Sequence, residues 1–149
     1  MASLLIDLSA WARSSHPSAS ARWKDLVEGD ELACHPVFAL ELLHNSINPE
    51  DHQRLRNDLE AAFDWVWPDD DTARLALRLQ QRMAMSTSSK SAPGPKDDIA
   101  VTDAVVVAHA EVLSERRGVS ILTSDPGDLN LLVHLTNRRN ISVIQIDGV

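Results

Sequence analysis

The sequence predicts an α/β protein with a central, mainly parallel sheet and helices on both of its faces. Short apolar runs at 3–6, 119–123 and 141–146 have the length and composition of buried strands, and the flanking segments show the helical spacing of apolar residues. Short loops join most of these segments, and the chain has no internal repeat. Strands that alternate with helices over short connections are typical of a three-layer α/β/α fold.

The length and composition fit a single globular domain spanning residues 1–149. Hydrophobic residues make up 44% of the chain, with 5 Gly and 7 Pro, which excludes collagen-like and wholly disordered classes. The only cysteine, Cys34, excludes an internal disulfide and a zinc site built from several thiolates. The formal charge of -8 opposes non-specific attraction to nucleic acid, so any handling of nucleic acid requires that this charge be offset.

Nothing in the sequence predicts association with a membrane. No apolar run approaches the roughly 18 residues of a membrane span. Asp7 also interrupts the stretch in which a signal peptide would be apolar. We therefore expect a cytoplasmic protein.

Proline and glycine mark the predicted boundaries in the first half of the chain. Pro17, Pro36 and Pro49 each suit a first helical position, whereas Gly29 closes a helix and Pro68 stops a strand. The predicted elements are a strand at 3–6 with a helical turn after Asp7, a helix at about 17–28, a strand at 31–35, a helix opened by Pro36, a helix started by Asn48 and Pro49, and a strand at 65–67.

The second half begins with an acidic helix start, because Asp69, Asp70 and Asp71 precede apolar residues spaced four apart. Residues 86–98 are rich in serine and proline and predict a mobile loop. The elements predicted after it are a helix from about 102 to 117 ended by Gly118, a strand at 119–123, a helix after Asp125 and Pro126, and a last strand at 141–146.

Four acidic residues occupy positions that such a fold would bring together. Asp7 and Asp125 come just after predicted strands, Asp103 opens a helix, and Glu41 lies one turn inside another helix. In an open parallel sheet, ligands bind beyond the carboxyl ends of the strands. We therefore expect the four carboxylates to converge at that edge.

Each of these acids also has a structural explanation. Asp7 and Asp125 suit helix N-caps, Asp103 would favour the positive end of its helix, and Glu41 fits a solvated face. Glu41, however, stands between two leucines, and Asp103 adjoins an apolar run. Both therefore flank surface that is expected to be buried, where an acid needs a partner.

Converging carboxylates predict a divalent-metal site. They repel one another unless a cation lies between them, and oxygen ligands suit Mg²⁺ or Mn²⁺. Such an ion activates water and neutralises charge on a phosphodiester, which is hydrolytic nuclease chemistry. The candidate ligands and catalytic residues are Asp7, Glu41, Asp103 and Asp125, and the candidate phosphate-binding cations are Arg13, Arg22, Lys24, Lys90 and Lys96.

Four segments carry a resemblance to a known family. They read Leu-Leu-Ile-Asp7-Leu-Ser-Ala-Trp, Ala-Leu-Glu41-Leu-Leu, Thr-Asp103-Ala-Val-Val-Val-Ala-His-Ala and Ile-Leu-Thr-Ser-Asp125-Pro-Gly-Asp-Leu. In order and spacing, over nearly the whole chain, they resemble the PIN-domain ribonucleases, especially the VapC toxins of toxin–antitoxin pairs. The last segment is the most specific of the four.

The resemblance implies a PIN-like fold and a Mg²⁺ or Mn²⁺ site made by the same four acids. It implies a hydrolase that acts as an endoribonuclease on RNA and serves as the toxin of a type II toxin–antitoxin system. It also implies a cognate protein antitoxin as partner and a homodimer.

Two further acids compete for places in this set. Asp98 also precedes small apolar residues, but Asp103 is preferred because the first turn of a long helix holds a side chain more firmly than the end of a loop does. Asp128, one turn beyond Asp125, is a lesser candidate whose alternative role is to favour the start of its helix.

The remaining polar and aromatic residues receive mainly structural interpretations. Ser9, together with Thr123 or Ser124, is a candidate for orienting metal-bound water or a carboxylate, and a helix-capping role fits Ser9 about equally well. His109 and Cys34 are expected to be packed core residues rather than a ligand and a nucleophile. Among the four tryptophans, Trp11 and Trp23 are the candidates to face a partner.

Three other classes of function fit part of the pattern. A receiver-like signalling domain also binds Mg²⁺ through aspartates, but it needs a lysine after its final strand, where this chain has Asp147-Gly148-Val149. A phosphatase with an Asp-x-Asp pair needs an acid at position 9, which is Ser9 here. A catalytically silent PIN-like binding protein stays open, although the retention of all four acids argues against it.

Overall fold

The structure is a computed structural model that describes residues 4–29, 32–87 and 101–147. Its elements in chain order are β1 (Leu4–Ile6), α1 (Leu8–Arg13), α2 (Ser20–Glu28), β2 (Leu32–Cys34), α3 (Pro36–His44), α4 (Pro49–Ala62), β3 (Asp64–Trp65), α5 (Asp70–Thr87), α6 (Val101–Ser114), β4 (Val119–Thr123), α7 (Pro126–Thr136) and β5 (Ile141–Gln145).

The five described strands form one parallel sheet in the order β3-β2-β1-β4-β5. The chain builds outward from β1 through β2 to β3 and then returns to place β4 on the other side of β1. The direction of winding therefore reverses between β1 and β4, which makes their carboxyl ends the topological switch point where ligands bind in such sheets. A receiver-like domain has the order 2-1-3-4-5 instead, so this topology argues against that alternative.

Helices cover both faces of the sheet, as alternation along β1 shows. Leu5 belongs to a buried cluster that includes residues of α5, α6 and α7. Leu4 and Ile6 point to the opposite face, into a cluster with residues of α1, α3 and α4. The predicted three-layer α/β/α arrangement is thereby confirmed.

Several helix starts follow the sequence signals directly. Pro36, Pro49 and Pro126 are first residues of α3, α4 and α7. The imidazole of His35 accepts a hydrogen bond from the first turn of α3, and the side chain of Asn48 does the same for α4. These caps fix the first turns of α3 and α4 on one face of the sheet.

Three predicted boundaries differ from the structure. Pro17 lies in a turn, and the helix expected at 17–28 begins at Ser20. The strand expected at 65–67 pairs only through Asp64 and Trp65, because its neighbour β2 ends at Cys34. The helix expected to run to residue 117 ends at Ser114.

The acidic start of α5 is as predicted, with the Asp69 carboxylate accepting hydrogen bonds from the backbone and side chain of Thr72. The expected loop at 86–98 differs at its beginning, since α5 continues to residue 87. Residues 88–98 of that loop lie outside the described residues. Among the described helices, none has the length and apolar character needed to cross a membrane.

Candidate metal centre

The four predicted acids come together at the switch point. Asp7 directly follows β1 and Asp125 lies two residues after the adjacent strand β4, while Asp103 lies in the first turn of α6 and Glu41 lies in α3. Asp7, Glu41 and Asp103 are half-buried, whereas Asp125 is exposed. The edge of the sheet thus collects acids from four different elements, as the sequence predicted.

The electrostatics of Asp103 identify its neighbours. Its pKa is raised to about 6, first by burial and then by the negative charges of Asp7 and Glu41. The charges of Asp128 and Asp125 raise that pKa further. Four carboxylates therefore lie close enough to Asp103 to oppose its ionisation, and a cation among them would relieve this repulsion.

Glu41 belongs to the same group. Burial raises the pKa of Glu41, the charge of Asp7 raises it further, and a hydrogen bond with the Thr102 side chain opposes both effects. Thr102 was not among the predicted site residues. It lies directly before Asp103 in the first turn of α6, but no sequence pattern indicated its contact with Glu41.

Asp7 is held by hydroxyl groups rather than by a helix terminus. The hydroxyls of Ser9 and Thr123 both donate to its Oδ2, at 2.6 Å and 2.9 Å. The two hydroxyl oxygens accept in turn from the backbone N–H groups of Ser124 and Asp125. This relay fixes one oxygen of Asp7, while no described residue donates a hydrogen bond to its Oδ1.

The capping explanation fails for two of the acids. Asp7 and Asp125 stand at the N-cap positions of α1 and α7, yet neither side chain makes a capping hydrogen bond. A helix cap would direct the carboxylate at the backbone N–H groups of the following turn. These two side chains are instead available at the edge of the sheet.

The structure describes only one of the two further acids, Asp128 and Asp98, that the sequence offered for the site. Asp128 is half-buried in the first turn of α7 and acts on Asp103 through its charge, so it is a neighbour of the site. Asp98 lies outside the described residues. Asp103 therefore occupies the position expected of it, and the competition with Asp98 stays a prediction.

The donor set fits a hard cation that keeps part of its water shell. Among residues 4–29, 32–87 and 101–147, no three His, Cys, Asp or Glu side chains are arranged to hold one metal ion directly. Mg²⁺ does not need such a cage, because it usually binds proteins through one or two carboxylates and retains several waters. A set made only of carboxylate and hydroxyl oxygens suits Mg²⁺ or Mn²⁺ and not a thiolate-seeking ion.

The predicted phosphate-binding cations have other contacts where they are described. Arg13 pairs with a carboxylate near the end of the chain at 2.9 Å, and Arg22 donates to a backbone carbonyl at the end of β5. Lys24 forms an exposed ion pair within α2. Lys90 and Lys96 lie outside the described residues.

The core interpretations of His109 and Cys34 are confirmed. His109 is 3% exposed and packs its ring at 4.9 Å from that of the equally buried His35. Cys34 is fully buried, and burial raises the pKa of its thiol to about 12. Neither residue joins the acids.

The exposed tryptophan is not one of the two expected. Trp11 and Trp23 are partly buried and pack edge to face at 5.8 Å. Trp67 is 67% exposed and stacks on Trp65 at 5.4 Å, beyond the short edge strand β3. Trp67 is thus the most exposed tryptophan because the end of β2 leaves it outside the sheet, and the expectation that Trp11 and Trp23 face a partner stays a prediction.

No family model matches the chain, and no curated protein sequence matches it. Solved structures match it in fold. A chain of the DNA-bound VapBC complex from Salmonella typhimurium superposes with a TM-score of 0.65 at 11% identity, over 98% of this chain and 99% of that chain. A chain of a toxin–antitoxin complex from Klebsiella pneumoniae gives 0.62 at 16% identity, over 99% and 100%.

A third match is a chain of VapBC-5 from Mycobacterium tuberculosis, a member of the VapBC family of toxin–antitoxin systems. Its TM-score is 0.54 at 18% identity, over 96% of this chain and 98% of that chain. The predicted resemblance to VapC-type chains is therefore confirmed in the fold, which is a PIN-like α/β/α arrangement. At these identities the likeness concerns the fold alone.

Proposed function

We propose that this chain is a divalent-metal-dependent endoribonuclease and the toxin of a type II toxin–antitoxin pair. The observation that carries the proposal is the grouping of Asp7, Glu41, Asp103 and Asp125 at the switch point of the sheet. The shared fold with chains of toxin–antitoxin complexes supports this activity over other uses of an acidic site.

These acids would hold Mg²⁺ or Mn²⁺ together, one or two of them binding the ion directly and the others through its water shell. When bound, the ion supplies Lewis-acid activation of water and neutralises charge on the phosphate. Ser9 and Thr123 keep Asp7 oriented through its Oδ2, and its Oδ1 would be the oxygen left to bind the ion. Asp103 has most to gain from a cation, since its neighbours oppose its ionisation.

The reaction is a direct hydrolysis. The oxygen of water forms a bond to phosphorus in line with the leaving sugar oxygen and gives up a proton, while the bond between phosphorus and the leaving oxygen breaks and that oxygen takes up a proton. Neither Ser9 nor Cys34, the side chains that could act as nucleophiles, is placed to form a covalent intermediate with the phosphate. The Ser9 hydroxyl donates to Asp7, and the Cys34 thiol is buried with a raised pKa.

Cleavage of a labelled structured RNA tests the activity. The wild type is expected to cleave with Mg²⁺ or Mn²⁺ and to stop when a chelator is added, and Asp7→Asn and Asp125→Asn are expected to be inactive. Asp25→Asn is the matched control, because it removes the same charge at an exposed position of α2. Metal-independent cleavage, or full activity in both site variants, would contradict the mechanism.

The same assay separates the nuclease from a catalytically silent relative. A folded wild type that binds RNA but cuts none with either ion would favour the silent PIN-like binding protein. The nuclease proposal requires turnover that follows the metal.

The proposed partner is a protein antitoxin that inserts a basic side chain among the acids. Adding it should abolish cleavage and weaken metal binding, since both cations would compete for the same carboxylates. Unchanged metal affinity in the complex would refute this mode of inhibition. The proposed homodimer is tested separately, by the mass of the isolated chain in solution.

A further inference from the structure

A groove of about 520 Å³ opens beside Glu41. It lies between the start of α1 and the end of α3, and its volume is within the range of about 300–1,000 Å³ typical of small-ligand sites. Leu40 is 69% exposed at its floor, although it is a large apolar residue. The lining residues are Leu8, Leu40, Glu41, His44 and Asn45.

A second groove of about 300 Å³ continues from the first, because Leu40 lines both. The stacked pair of Trp65 and Trp67 lines it, together with His52 and with Arg56, whose guanidinium is ion-paired with Glu60 at 3.1 Å. An exposed surface path therefore leads from the candidate metal ligands, across Leu40, to an aromatic platform at the edge of the sheet.

We propose that single-stranded RNA lies along this path, with one base on Leu40 between His44 and Asn45 and a further base stacked on Trp67. The inference rests on the proposed ribonuclease activity and names the form of its substrate. It assigns His44 and Asn45 to base selection and Trp67 to affinity.

The chemistry of the path suits nucleobases. Bases are flat and uncharged, so they can lie beside Glu41 without the repulsion that a second anion would meet. The Asn45 side chain offers both a donor and an acceptor to the edge of a base, and the His44 ring offers a stacking surface. Trp67 accepts any base, because every base has a π-face.

The position of the path also favours RNA over a protein segment. It begins at Glu41, so a strand whose phosphate lies at the acids can place a neighbouring base in the first groove. Arg56, farther along the path, is ion-paired with Glu60 at 3.1 Å, so the path binds bases by contact and stacking rather than the phosphate backbone by charge. An apolar protein segment would use Leu40 and Trp67 but would leave the polar groups of His44 and Asn45 unmatched.

The path requires unpaired bases. In a duplex, the bases stack on one another and pair inside the helix, where they cannot reach Trp67. Recognition by splayed and stacked bases is the usual mode for single-stranded loops and ends.

Binding of a fluorescent single-stranded oligoribonucleotide to the Asp125→Asn protein tests the path without cleavage. Adding Trp67→Ala should weaken binding about tenfold, the loss expected from one stacked base. Asn45→Ala should change the ranking of four oligonucleotides that differ at one base. The controls are Leu77→Ala, at a leucine also 67% exposed, and Asn57→Ala on α4, and both should match the parent.

Cleavage by otherwise wild-type chains separates failure of this inference from failure of the nuclease. Trp67→Ala is expected to raise KM with little change in kcat, and Asn45→Ala is expected to shift the cut positions. If the wild type cleaves and both variants behave as their controls do, the path is wrong and the nuclease stands. If the wild type cleaves no RNA, the proposed function fails and this inference fails with it.

A protein ligand on the same surface gives a different result. If Trp67→Ala leaves RNA binding intact and weakens only the association with an antitoxin, the grooves form a protein-docking surface, and the RNA path is overturned. Because Trp67 is largely exposed, loss of fold is not expected, and an unchanged unfolding temperature verifies this.

Discussion

The hydroxyl of Thr123 donates a hydrogen bond to Oδ2 of Asp7 at 2.9 Å and so joins the ends of the two central strands. Thr123 is fully buried, and its oxygen also accepts from the backbone N–H of Asp125 at 3.0 Å. One side chain therefore positions both aspartates that follow the strands at the switch point. It fixes the carboxylate of Asp7 and the backbone of Asp125.

Replacing Thr123 by valine should weaken both the fold and the metal site. Thr123→Val keeps the shape but removes the donor to Asp7 and the acceptor for Asp125, which costs about 1–3 kcal/mol for polar groups left unsatisfied. The Mg²⁺ concentration needed for half-maximal cleavage should rise, whereas Thr123→Ser should restore it. Equal Mg²⁺ dependence in the wild type and the valine variant would show that Thr123 is only structural.

Removing the charge of Asp103 should stabilise the metal-free protein while it abolishes metal-dependent activity. Four neighbouring carboxylates and burial oppose its ionisation, so Asp103→Asn should raise the unfolding free energy at pH 7 by about 1 kcal/mol, or the unfolding temperature by about 3 °C. Calorimetry in chelator measures this, with Asp25→Asn as the unchanged control. A lower unfolding temperature for Asp103→Asn would mean that the charge of Asp103 does not destabilise the metal-free protein.

The stability of the fold should fall below pH 6.5 because of His35. Burial, followed by the charge of His109, lowers the pKa of His35 from 6.5 to about 3. The folded state keeps the ring neutral while the unfolded chain takes up a proton, so stability is lost as the pH falls from 6.5 toward 3. The unfolding free energy should be about 2 kcal/mol lower at pH 5 than at pH 7 from this residue alone.

Urea denaturation at the two pH values measures that loss. His35→Asn keeps an acceptor at the start of α3 but has no proton to bind, so its stability should depend less steeply on pH. His16→Asn, at an exposed position, should behave as the wild type does. An undiminished slope in His35→Asn would assign the pH dependence to other groups, such as His109.

Cys34 should be unreactive in the folded protein. Its side chain is fully buried, and burial raises the pKa of the thiol to about 12, so little thiolate is present at pH 8. A disulfide reagent should label it only after denaturant is added. Rapid stoichiometric labelling of the native chain would mean that β2 opens readily.

The strand ends and the four acids were predictable because their signals are local. Each of Asp7 and Asp125 follows an apolar run with the length and composition of a buried strand. Each proline at the start of α3, α4 and α7 predicts a helix start by itself. Parallel pairing then places the carboxyl ends of the strands on one edge. The convergence of the acids follows from topology without knowledge of any contact.

The features that the sequence did not predict depend on the length or position of another segment of the chain. Trp65 to Trp67 has the composition of a strand, but only its beginning pairs, since β2 stops at Cys34. The exposure of Trp67 is a consequence of that stop. Likewise, the contact of Thr102 with Glu41 depends on how α6 packs near α3, which no local pattern encodes.

Direct metal binding tests the central claim most simply. Titration of Mn²⁺ followed by electron paramagnetic resonance should show binding to the wild type, with affinity reduced about tenfold or more in Asp7→Asn, Glu41→Gln, Asp103→Asn and Asp125→Asn, as expected when a direct ligand or a group that holds the ion's waters is lost. Asp25→Asn should bind as the wild type does. Equal binding by all six proteins, or no binding by any, would contradict a shared metal site at the switch point.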